Sequence, residues 1–159
     1  IDCPGGSPTE VDLIARDIRR LAKIYDKPVY AFARGSLTSA GYFLACAADK
    51  IYTLPATEVG SIGVKMEVDL EYKRDRKNGL EHHVFTSGPR KMQLDTHQPL
   101  KKIDAKKVKS SLKYLHGEFV DWIVEMRGDR LKGDISKLTN GDWWFGRDAQ
   151  KLGLIDGIG

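Results

Sequence analysis

Between Pro28 and Leu54 two short apolar runs flank fourteen consecutive residues without a charge, Gly35 to Ala48. Pro28-Val29-Tyr30-Ala31-Phe32-Ala33 and Lys50-Ile51-Tyr52-Thr53-Leu54 are rich in β-branched and aromatic residues and too short for helices, so both read as strands. The small-residue stretch from Ser39 to Ala48 reads as a helix between them. Strands alternating with helices predict an α/β chain with a mainly parallel sheet and flanking helices.

The remaining segments extend that pattern. Ser7-Pro8-Thr9-Glu10 is a helix start: Ser7 can cap, Pro8 suits the first helical position and Glu10 completes a capping box. Val11, Ile14, Ile18, Leu21, Ala22 and Tyr25 then recur at helical spacing. Gly60 to Val64 reads as a glycine-bounded turn into an extended piece. Val68 to Lys77 reads as a charged helix ended by Gly79, and His82 to Thr86 as a third strand. The longest helix is expected from Ile103 to Met126, with Gly128 past its end. After a loop from Gly133 to Asn140, Gly146 to Asp156 reads as a short helix turning into a strand. No linker divides the chain, so residues 1–159 are expected to be one domain. Its opening, Ile1-Asp2-Cys3, resembles the end of a truncated strand. The natural protein is therefore expected to be longer, with an upstream membrane anchor as one way of being membrane-associated.

Composition excludes several classes. With 41% hydrophobic and 30% charged residues, the chain is neither disordered nor membrane-spanning. No apolar run approaches the roughly 20 residues of a membrane helix. The net charge of +4 is concentrated in Lys101, Lys102, Lys106, Lys107 and Lys109, which read as a solvated helix face, with a docking surface for acidic lipid or nucleic acid as the alternative. No aromatic residues interleave with these lysines, so nucleic acid is not an expected partner. Cys3 and Cys46 form no Cys-x-x-Cys pair, and His82 and His83 have no matching acidic and cysteine cluster. No metal or cofactor is expected. Cys46 suits a small core position. Trp143 and Trp144 suit packing, an interface or the lining of a peptide groove.

Three segments can carry chemistry. Pro4-Gly5-Gly6 brings unobstructed backbone N–H groups to a helix start. Thr38-Ser39-Ala40-Gly41-Tyr42 puts a serine at a strand-to-helix junction, where small neighbours allow a turn that displays the hydroxyl. Ser87-Gly88-Pro89-Arg90-Lys91 places a lysine at a turn. Taken singly, these are a tight turn, a helix cap and a solvated lysine.

Together, and in this order, they resemble the signal peptide peptidase A and SohB family of Ser–Lys peptidases. Ala47-Ala48-Asp49-Lys50-Ile51, Gly60-Ser61-Ile62-Gly63-Val64, Thr86-Ser87-Gly88 and the closing Gly146…Ala149…Gly153-Leu154-Ile155-Asp156 belong to the same resemblance, which runs nearly end to end. It implies a ClpP/crotonase-like fold, Ser39 as nucleophile and Lys91 as general base. It further implies an oxyanion hole from Gly6 and the N–H of Ala40, with Gly5 in support, and a Ser61 hydroxyl that orients the lysine amine. The family often has Gly-Gly after the nucleophile, where this chain has Ala40-Gly41, and alanine before it, where this chain has Thr38. Alanine still donates its N–H. If the loop register differs, Lys101 or Lys102 becomes the base.

The chemistry requires these residue types. A serine hydroxyl is a poor nucleophile until a base takes its proton. A free lysine amine, near 10.4, serves as base only if desolvation lowers its pKa by roughly three units. Lys91 is therefore expected to be shielded in the assembled enzyme. The resemblance also implies a homo-oligomer with active sites near subunit contacts, and hydrophobic or unfolded peptides, such as cleaved signal peptides, as substrates. Two other readings stay open: a crotonase-type acyl-CoA enzyme, and a catalytically silent scaffold or binding module of the same fold. A capsid-maturation peptidase would share the chemistry and differ in substrate.

Overall fold

The computed structural model describes residues 1–159. They form two compact units: Ile1–Val64 together with Leu115–Gly159, and Lys65–Tyr114.

In the first unit, α1 (Pro8–Tyr25) starts at Ser7, whose hydroxyl accepts the Glu10 N–H at 3.4 Å, with Pro8 at the first helical position as expected. It buries Val11 and Ala15 and leaves Ile14, Leu21 and Tyr25 exposed. Next come β1 (Tyr30–Ala33), β2 (Ser36–Thr38), α2 (Ala40–Ala45), β3 (Lys50–Thr53) and β4 (Glu58–Gly60). The chain re-enters the first unit at Leu115, within α4 (Lys102–Arg127), and then forms α5 (Ile135–Leu138), β5 (Trp143–Phe145), α6 (Gly146–Lys151) and β6 (Gly157–Ile158).

Strands β1, β3 and β6 form one sheet in that order, all parallel, with Tyr30 opposite Lys50 and Tyr52 opposite Gly157. Strands β2, β4 and β5 form another, in which β2 and β4 are parallel and β5 is antiparallel to β4. The two sheets are successive stretches of the same chain segments, because β1 bends into β2 at Arg34-Gly35 and β3 into β4 near Thr57. The bends are tied together: the buried Thr57 hydroxyl donates to the Arg34 carbonyl at 2.7 Å, and the Glu58 N–H donates to the Gly35 carbonyl at 3.1 Å.

The core is apolar and lies around α2. Leu37, Tyr42, Ile51, Val59, Ile62, Ile123 and Leu154 are fully enclosed. Phe43 stacks on Trp122 with centroids 5.3 Å apart and meets Phe119 at 5.2 Å, which fixes the C-terminal half of α4 over α2. The Trp122 indole N–H donates to the Phe43 carbonyl at 3.0 Å, so this buried ring leaves no polar atom unpaired. Arg127 is enclosed and bonds Asp156 at 2.7 Å, closing the C-terminal segment onto β3.

The second unit holds α3 (Tyr72–Lys77) and the first half of α4. Helix α3 begins at Tyr72 and not at Val68. Val68-Asp69-Leu70-Glu71 alternates apolar with acidic residues, a period of two that does not favour helix. Gly79, at φ 69°, follows its end as expected. His82 to Thr86 forms no strand: the run has no neighbouring strand to pair with, and Phe85 is 94% exposed. Helix α5 stands within the loop expected from Gly133 to Asn140, and the short strands β2, β4 and β5 were not expected as strands.

Candidate active site

Ser39 closes β2 and heads α2. Its φ of 53° and ψ of −122° lie in a region that non-glycine residues seldom occupy. Such backbone strain persists only where the surroundings over-determine it, and here they do. The Ser39 N–H donates to the Gly60 carbonyl at 2.8 Å, and its carbonyl accepts the Phe43 N–H at 3.0 Å. The side chain makes no capping bond to α2. A cap serine spends its hydroxyl on the first turn of its helix; this one is half-buried with its hydroxyl unspent on that task.

The opening segment runs beside this serine. The Cys3 N–H donates to Ser36, and the Cys3 carbonyl accepts from Thr38 at 3.1 Å, so residues 3–6 continue next to β2. The Thr38 hydroxyl donates to the Pro4 carbonyl at 3.0 Å. A methyl group added at Gly5 would stand 3.7 Å from the Ser39 Oγ, and one at Gly6 would stand 3.6 Å from the Ala40 Cβ. A Cβ at Gly41 would fall 2.5 Å from the Cys3 carbonyl oxygen, so glycine is required there for the opening segment to pass over the start of α2. Ala40 lies in the first helical turn, whose N–H groups have no intrahelical acceptor. Ser39, Gly5, Gly6 and Ala40 are thus neighbours.

Ser61 belongs to the same neighbourhood. It follows Gly60, whose carbonyl holds the Ser39 N–H. It has a φ of 49°, and its own N–H donates to Asp142 at 2.6 Å. That bond ties the Ser61 turn to the segment leading into β5, an anchor the sequence did not reveal.

Lys91 stands in the second unit. Its N–H donates to the Gly88 carbonyl at 3.0 Å, and its side chain is exposed. Two neighbours pin the turn around it. Arg90 reaches the buried Asp104 carboxylate at 3.0 Å and donates to the Gln93 side chain at 2.9 Å, and Gln93 donates back to the Arg90 carbonyl.

Cys46 is enclosed, and burial pushes its thiol up to about 12, which makes it an inert core residue. Cys3 is half-buried and its Sγ donates to the Gly5 carbonyl at 3.4 Å; both cysteines are free. Asp75, His82 and His97 come together in the second unit although 22 residues separate the first from the last. Their spacing carries no motif, so the cluster is not legible before folding.

The family model "Peptidase family S49" matches residues 22–159. The whole chain aligns at 40% identity with 22% of a Brucella melitensis protein named "Na(+)/H(+) antiporter NhaA". It aligns at 32% identity with 23% of the chloroplastic serine protease SPPA of Arabidopsis thaliana. A Haemophilus influenzae protein named "Probable protease SohB" is 28% identical over 99% of this chain and 44% of its own length. The chain therefore spans less than half of each of these relatives.

Proposed function

The chain belongs to peptidase family S49, and we propose that it is the catalytic region of a serine endopeptidase working through a Ser–Lys dyad. Its α/β architecture, mainly parallel with flanking helices, is the ClpP/crotonase-like fold of that family. The observation that carries the proposal is Ser39: a strained serine at a strand-to-helix turn, beside a paired-glycine segment, with its hydroxyl unspent on its helix.

In the proposed reaction the neutral Lys91 amine takes the proton from the Ser39 Oγ as the oxygen attacks the scissile carbonyl carbon. The N–H groups of Gly6 and Ala40 hold the resulting oxyanion. The intermediate collapses with the C–N bond breaking, and Lys91 returns the proton to the leaving amine. Water, deprotonated by the same lysine, then hydrolyses the ester on Ser39. The Ser61 hydroxyl accepts from the lysine amine and orients it. A lysine acts as base only when shielded, and Lys91 is exposed in the single chain. The proposal therefore includes a homo-oligomer that covers it. Hydrophobic or unfolded peptides are the proposed substrates, bound as added strands, and membrane association is proposed as well.

Antiport is in the name of a relative of which this chain matches 22%. No helix here is long and apolar enough to cross a membrane, and transport is not proposed for this chain.

The test is hydrolysis of a fluorogenic apolar peptide by wild type, Ser39→Ala and Lys91→Ala, with an acyl-CoA thioester as a second substrate. Both substitutions should lower peptide turnover by on the order of 10³-fold or more with unchanged circular dichroism. Full activity in either variant defeats the dyad, and turnover of the thioester alone points to the acyl-CoA enzyme of the same fold. Activity should rise with pH as a lysine deprotonates.

A further inference from the structure

The second unit buries only two side chains, and both are carboxylates: Asp75 and Asp104. Arg90 answers Asp104. Asp75, on α3, is met instead by two imidazoles. Its Oδ2 lies 2.7 Å from the His97 Nδ1 and 3.5 Å from the His82 Nε2. The three ligand atoms lie within 4.8 Å of one another, and the two rings are stacked with centroids 3.7 Å apart.

We propose that Asp75, His82 and His97 are a three-ligand site for a borderline divalent transition cation, Zn²⁺ being the best fit.

Two imidazoles and a carboxylate are a ligand set that suits zinc and its neighbours in the first transition row, whereas Mg²⁺ prefers an oxygen cage with near-octahedral geometry. Zinc–ligand bonds of about 2.0–2.1 Å place tetrahedral ligand atoms about 3.3 Å apart. The two separations around the Asp75 oxygen, 2.7 and 3.5 Å, fall on either side of that distance. The geometry is also prepared by the backbone. The N–H groups of Glu71 and Tyr72, at the start of α3, both donate to the Thr96 carbonyl, at 2.8 and 3.2 Å. That clamp holds residue 97 against the helix carrying Asp75. The His97 N–H is further held by the Asp95 carboxylate at 3.0 Å. Arg74, the nearest cation, approaches the other Asp75 oxygen at 3.8 Å and is itself engaged by Glu71 at 2.9 Å. Asp75, Asp95 and Glu71 thus outnumber Arg74. A bound ion would join α3 to the segments around residues 82 and 97, which have no apolar core between them; metals commonly replace a core in units of this size. The site does not depend on Ser39 or Lys91.

The experiment is calorimetric titration of the chelator-stripped chain with ZnCl₂ and, separately, MgCl₂, at neutral pH. The variants are His82→Ala, His97→Ala, Asp75→Asn and the control His83→Ala, whose exposed ring faces Glu81. One Zn²⁺ per chain should bind saturably, with Mg²⁺ giving no comparable isotherm. Affinity should fall at least tenfold in His82→Ala and in His97→Ala and be unchanged in His83→Ala. Zn²⁺ should raise the melting temperature of wild type and not of His82→Ala. Because Asp75→Asn removes a buried charge and could unfold the unit, the partly exposed His82 gives the deciding variant. No saturable Zn²⁺ site, a site that survives either histidine substitution, or one weakened equally by His83→Ala overturns the proposal.

Discussion

The segment that carries Ser39 and the segment that carries Lys91 are built on opposite principles. Around Ser39 every surrounding element buries apolar side chains, and the strained backbone is held by bonds from β4 and α2. Around Lys91 the buried groups are acids, the order comes from ion pairs and turn hydrogen bonds, and large apolar residues such as Leu80, Val84 and Phe85 face outward. A nucleophile must be displayed at one fixed angle, which a dense core provides. A base that must be dry, on a unit with no dry interior of its own, has to acquire its cover from elsewhere. This difference is what makes the oligomer part of the proposed chemistry and not an addition to it.

Amide hydrogen exchange is the sharpest way to break the comparison. Local opening ranges from nearly free at weakly packed segments to the global unfolding energy in the core. Amides of β1, β3 and α2 should therefore exchange slower than those between Lys65 and Leu100 by on the order of 10³-fold or more. Equal protection in the isolated chain would mean that the second unit has a source of stability other than its own packing. The same contrast can be drawn with two phenylalanines. Phe43→Ala removes a ring enclosed by Phe119 and Trp122 and should cost roughly 3–5 kcal/mol in urea unfolding. Phe85→Ala removes an exposed ring and should stay within about 0.5 kcal/mol of wild type.

Charge is used differently in the two units as well. In the first, Asp156 closes the C-terminal segment. Burial alone would raise its carboxyl, but the Arg127 hydrogen bond, the Ile51 N–H and the charges of Arg127 and Arg130 outweigh that and hold it below the ordinary carboxylate value. A carboxyl held low in the fold contributes stability that is fully present above its unfolded value, near 3.9, and is lost as pH falls through the lower folded value. Acid unfolding should therefore draw on Asp156 below about pH 4. Asp156→Asn strands the enclosed Arg127 and should cost about 3 kcal/mol at neutral pH, with a shallower acid dependence in the same range. An unchanged acid slope would remove Asp156 from the account.

Legibility in the sequence follows the same division. Helices α1 and α4 and strands β1 and β3 were readable, because long amphipathic periods and short β-branched runs report directly on burial. Ser39 and the paired glycines stand out in the sequence only through the order of motifs they share with the resembled family; taken singly they read as a helix cap and a tight turn. The three-residue strands β2, β4 and β5 were not readable: each is defined by the partner it pairs with, and Trp143-Trp144-Phe145 became a strand only because β4 lies beside it. The expectation of a strand from His82 to Thr86 failed for the converse reason, a β-like composition without a partner in the chain. The union of Asp75, His82 and His97 was invisible since it depends on the Thr96 carbonyl being held by the start of α3, a contact no local pattern encodes.

That union supplies the finest test of how the second unit is ordered. The Asp75 hydrogen bond and negative charge outweigh partial burial and raise the His97 imidazole above its ordinary value, while the same hydrogen bond, again against burial, lowers the Asp75 carboxyl. For the histidine, stability from the pair is fully present below the unfolded value, near 6.5, and is lost as pH rises through the higher folded value. For the carboxyl, it is lost as pH falls through a value below 3.9. In the metal-free chain, the pair should therefore contribute most between those limits. Proton NMR titration of the four histidine rings should place His97 above 6.5 in wild type and move it downward in Asp75→Asn. A His97 titration that ignores Asp75→Asn would mean that the ring and the carboxylate are not in contact in solution. The polar ordering of the second unit would then fail at its best-defined point, while the apolar framework around Ser39 would be unaffected.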